Sequence, residues 1–62
     1  MTMENYMDYA RSFGYNVQFT GIGMGYITLG DIMLTNAMGT EKAEKELALF
    51  GMAIMADTVR AM

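Results

Sequence analysis

Seven carboxylates, a single serine, four tyrosines and a glycine-rich run are the features of this 62-residue chain suited to chemistry or recognition. General acid–base catalysis needs two carboxyls held at fixed separation in a cleft. Glu4 and Asp8 lie one turn apart on one helical segment, and Glu41 and Glu44 lie one turn apart at the start of another. No acid falls inside an apolar run, and no Asp-x-Asp-x-Asp loop is present to hold calcium. Helix-cap charges and solvated faces account for all seven. Ser12 has no histidine to activate it, because the chain has none. Cysteine is also absent, which removes disulfides, thiolate nucleophiles and thiolate metal ligands. No enzymatic activity, cofactor or metal is therefore expected.

The run Gly21-Ile22-Gly23-Met24-Gly25 offers backbone N–H groups that could cradle an anion. Its spacing is neither that of a P-loop nor that of a dinucleotide fold, and Tyr26 after it opens a strand rather than a helix. A flexible connection between strands explains it better.

The elements that must position these residues follow from periodicity. Met3, Tyr6, Met7, Ala10 and Phe13 recur at helical spacing, which predicts a helix over 3–13. Thr2 is placed to cap it and Gly14 to end it. Residues 15–20 alternate, with Tyr15, Val17 and Phe19 inward, as in a half-buried strand. Gly30-Asp31 sits between two β-prone runs and predicts a two-residue hairpin turn. That register pairs Leu29 with Ile32 and Thr28 with Met33. Ile27, Leu29, Ile32 and Leu34 then share the inner face, with Tyr26, Thr28, Met33 and Thr35 on the outer one. Residues 36–39 form a turn, and Thr40 caps a long helix to about residue 61. The fold expected is α+β: N-terminal helix, three-stranded antiparallel sheet, long C-terminal helix, in one small domain over 1–62. An αββα alternative makes residues 31–38 helical from an Asp31 cap.

The last helix carries two apolar faces. Ala43, Leu47, Phe50, Ile54 and Ala61 share one, flanked by Gly51 and Thr58, and should cover the sheet. Ala48, Leu49, Met52, Met55, Ala56 and Val59 lie well round from it. A chain that is 53% hydrophobic, with a mean hydropathy of +0.18, has more apolar surface than one small core needs. This second face is the natural seam for a homodimer or larger self-assembly.

Net charge is −3 and the pI about 4.4. Arg11, Lys42, Lys45 and Arg60 are scattered, so no phosphate-binding surface is expected and direct nucleic-acid binding is not. Glu4 and Asp8 stand where a secretory leader carries Lys or Arg, so none is expected. The longest uncharged apolar run, 47–56, is half the roughly 20 residues of a membrane span. The expected compartment is cytoplasmic.

The function these features imply is protein binding. A small acidic module would dock on a larger protein or nucleoprotein complex with a basic surface, and inhibit or regulate it. Glu4, Asp8, Tyr9, Tyr26, Asp31, Glu41 and Glu44 are the expected contacts, with tyrosines as anchors beside acids. Phage-encoded inhibitors of host systems, anti-CRISPR proteins among them, share this profile of size and charge, although no motif here carries a family assignment. The alternative is a self-assembling structural protein that uses Ala48, Leu49, Met52, Met55 and Val59.

Overall fold

The structure, a computed structural model, describes residues 2–62. Helix α1 spans Met3–Arg11, and the Thr2 hydroxyl accepts from the Asn5 amide at 3.2 Å, the cap expected there. The helix stops before Phe13. The Ser12 hydroxyl donates to the Tyr9 carbonyl, and the Phe13 and Gly14 amides take i−3 partners at 3.0 and 2.9 Å. This tightened last turn leads into Gly14 at φ +98°. Of the expected stripe, Met7 and Ala10 are buried and Tyr6 half-buried, while Met3 and Phe13 are exposed. Phe13 instead meets Tyr9 edge-on at 5.1 Å.

Strands β1 (Tyr15–Phe19) and β2 (Met24–Leu29) form an antiparallel hairpin, with Tyr15 opposite Leu29 and Phe19 opposite Gly25. The glycine-rich loop is shorter than the sequence suggests, because Met24 and Gly25 belong to β2. Gly25 has no room for a side chain, since a Cβ there would come within 2.9 Å of Val17 Cγ1. The second hairpin has the expected register: β3 (Ile32–Met33) pairs Leu29 with Ile32 and Thr28 with Met33, across Gly30 at φ +59°. Residues 31–38 are accordingly not helical.

The rest of that strand differs from expectation. The Leu34 amide donates to the Ile27 carbonyl at 2.8 Å, but the Ile27 amide donates to Thr35 Oγ1 at 3.1 Å rather than to a backbone carbonyl. The hydroxyl ends the ladder. The chain loops out and returns as β4 (Met38–Gly39), which pairs with Gly25 and Met24 two residues out of register with β3. Residues 36–39 are thus not the expected turn: 36 and 37 are irregular and Met38–Gly39 is strand, so the sheet has four strands with β2 central. Replacing Thr35 with Val leaves the Ile27 amide without this partner. The expected cost is about 1–2 kcal/mol, or a melting temperature lower by roughly 4–16 °C. A thermal melt unchanged within about a degree would show that the amide finds another acceptor.

Helix α2 spans Thr40–Ala61, about 33 Å. Its N-cap is Gly39, not Thr40, and no side chain caps it. The Thr40 amide donates instead to the Gly23 carbonyl of the first hairpin turn at 3.3 Å. The core is Met7, Ala10, Val17, Ile27, Ala43, Leu47 and Ala48, with Tyr6, Tyr15, Met38 and Phe50 around it. Tyr15 and Phe50 stack at 5.1 Å. Ala43 and Leu47 bury as expected, but Ala61 on the same line is exposed. No helix reaches β3, so Ile32 and Leu34 are exposed although they lie on the inner side of the pleat. Among the described residues no helix is long and apolar enough to cross a membrane.

Candidate functional site

Backbone geometry separates the acids that the sequence nominates. Asp31 occupies the β2–β3 turn, next to Gly14, whose carbonyl accepts from the Gly30 amide at 3.1 Å. Glu41 and Glu44 start α2 at the opposite end of β2, where Thr40 meets Gly23. The length of β2, roughly 17 Å, lies between these two groups. Glu4 and Asp8 stand on the exposed side of α1, which crosses the middle of α2 where Tyr6 meets Gly51. The five acids are therefore spread over three places.

Two of them already have partners. Asp8 pairs with Arg11 at 2.8 Å, and Glu41 with Lys45 at 3.6 Å. Both pairs are largely exposed and contribute little to stability. No charged or polar side chain is buried among the described residues. Nor do three or more acids converge there as a metal site would require. The Ser12 hydroxyl is engaged with the Tyr9 carbonyl.

Tyr6 and Tyr15 pack around the core, and the two tyrosines expected to make contacts, Tyr9 and Tyr26, differ in use. The Tyr9 hydroxyl lies 3.4 Å from Thr58 Oγ1, which itself donates to the Ile54 carbonyl at 2.9 Å. Tyr9 must therefore donate, and its hydroxyl ties α1 to the far half of α2. Tyr26 stands opposite Gln18 on the sheet face turned away from Val17, Gly25 and Ile27. That outer face also carries Asn16, Thr28 and Met33 in register beside it.

Charge is segregated over the surface of the molecule. All four basic and seven acidic residues lie on α1, on α2 or at Asp31, and none lies on a strand. The acidity belongs to the helical side, and the outer sheet face is neutral. The free edge of β1 is also blunted. Even-numbered β1 residues bond to β2, as the Thr20 amide to the Met24 carbonyl shows, so the Val17 amide points outward. Asn16 Oδ1 accepts that amide at 2.9 Å, which takes one donor from an incoming strand.

The second face of α2 is only partly as expected. Ala48 is 1% exposed and belongs to the core, since α1 packs against that side of α2. Met55 is half-buried. Leu49 and Val59 are 53% and 62% exposed, Met52 is also exposed, and no residue of α2 beyond Gly51 is buried. A shallow pocket of about 220 Å³ lies on this helix, lined by Glu46, Leu49, Phe50 and Ala53. Comparison of the chain with protein-family profiles, with curated proteins and with solved structures finds no match.

Proposed function

We propose that this chain is a protein-binding module that docks on a larger protein or nucleoprotein assembly and inhibits or regulates it, without catalysis of its own. The observation that carries this reading is the segregation of charge. The sheet face around Tyr26 carries no charged residue, and Met33, Gln18 and Asn16 are exposed on it with Tyr26 and Thr28 half-buried among them. Interface centres are depleted of charge and enriched in Tyr and Met, because every group there loses its water. The acids of α1 and α2 are suited to the rim, where they steer approach to a basic partner and contribute less to affinity.

The test is capture of a stoichiometric partner from native cells by the tagged full chain, compared with variants. Tyr26→Ala is expected to lower capture at least about tenfold while leaving the melting temperature within a few degrees. Glu41→Lys with Glu44→Lys is expected to lower it less, and most at low salt. Equal capture by the wild type and both variants would overturn the proposal.

A further inference from the structure

The pocket on α2 has a definite form. Its four lining residues, Glu46, Leu49, Phe50 and Ala53, are spaced i, i+3, i+4, i+7. That is the set of four that makes a hole for a side chain from a facing helix. One wall is fixed, because Phe50 stacks on Tyr15 of β1. The four lining residues centre about 110° round the helix from the buried Leu47, so the hole opens on the flank of the core beside Tyr15.

We infer that the occupant is a second copy of this chain, with α2 packed antiparallel on α2 about a two-fold axis beside Leu49 and Phe50. Such an axis makes the contact self-complementary. Each Leu49 is a large, half-exposed side chain at the centre of the seam, and it enters the hole of the other copy. The same axis fixes what meets at the ends. Lys42 and Asp57 lie about two turns to either side of it, on the same side of the helix as the hole. Lys42 of each copy therefore faces Asp57 of the other, giving two ion pairs across the seam. Lys42 has no ion-pair partner among the described residues, and Asp57 reaches Arg60 only at 3.9 Å. Ala53 is small enough to let the backbones approach, and the axis sets it opposite the half-buried Glu46 of the other copy. Charge complementarity thus selects a second copy over an unrelated apolar helix.

This inference does not depend on the sheet face, and its test needs no other protein. A single helix pair is a small interface, so association is expected at roughly 10–100 µM. Sedimentation velocity of the full chain from about 5 to about 200 µM at low salt should show a shift towards dimer mass. Leu49→Asp should abolish the shift, with an unchanged circular dichroism spectrum. Asp57→Lys should weaken it severalfold, and Lys42→Asp combined with Asp57→Lys should restore it. A wild type that stays monomeric throughout, a Leu49→Asp variant that associates like the wild type, or a charge swap no better than Asp57→Lys alone would overturn the arrangement.

Discussion

Gly51→Ala is expected to lower the melting temperature by roughly 10 °C, the reverse of what helix propensity alone predicts. Alanine in a helix interior is favoured over glycine by about 1 kcal/mol, so an isolated α2 would gain from the change. In the folded chain Gly51 is buried where α1 crosses α2. A Cβ there would overlap the Tyr6 carbonyl oxygen and stand 3.2 Å from its Cα. The obstacle is backbone, so no side chain can swing aside and the two helices must part. Overpacking of this kind costs typically 1–3 kcal/mol, and more where the backbone has to move. The steric term therefore outweighs the propensity gain, leaving a net loss of about 2 kcal/mol. Each kcal/mol is worth about 4–8 °C in a domain of this size. A melt followed by far-ultraviolet circular dichroism decides the sign, and a higher melting temperature would mean that the two helices part at little cost.

Gly51 also marks the limit of what periodicity can tell. A helical wheel assigns residues to faces, but it does not say which neighbour covers a face. Ala48 and Leu49 share the second apolar face of α2 on the wheel, yet α1 buries Ala48 and leaves Leu49 in water. The Gly30-Asp31 hairpin was legible because turn chemistry and side-chain alternation agree there, and its register is as expected. β4 was not legible. Met38-Gly39 is too short to alternate, and it forms because the Thr35 hydroxyl takes the Ile27 amide and resets the register along β2. The end of α1 was hidden for a similar reason, since it depends on a local bond from Ser12 rather than on any break in spacing. The candidate site was legible as single residues only. Tyr26 and Met33 could be placed on the outer sheet face from alternation. That the acids divide between the two ends of β2 and the side of α1 needed the fold.

The two proposed surfaces are compatible. The sheet face and the exposed side of α2 lie on opposite sides of the core, because α2 covers the inner face with Ala43 and Leu47. A dimer through α2 would leave both outer sheet faces free. Two linked copies on a repetitive assembly would then bind with avidity beyond that of either alone, provided the spacing of sites matches.

The sharpest contrast in the chain is between Leu47→Ala and Leu49→Ala, the same substitution two residues apart on one helix. Leu47 is completely buried and, with Ile27, one of the two largest fully buried side chains. Truncating it removes apolar contact and leaves a cavity, at a cost of about 2–5 kcal/mol. A chain of this length has about 3–9 kcal/mol of total stability to lose. With no disulfide to hold it, Leu47→Ala is expected to be largely unfolded at 37 °C. Leu49 sits half in water, and nothing in the monomer closes over it. Its truncation should change monomer stability by no more than about 0.5 kcal/mol. Any effect of Leu49→Ala should instead grow with protein concentration, because a dimer contact stabilises by mass action while a core contact does not. Melts of both variants at about 5 and about 200 µM separate the two roles. Leu47→Ala should be destabilised equally at both, and Leu49→Ala only at the higher. Equal loss at both concentrations for Leu49→Ala would place that side chain in the core of the monomer, and the hole it helps to line would then need no second helix to fill it.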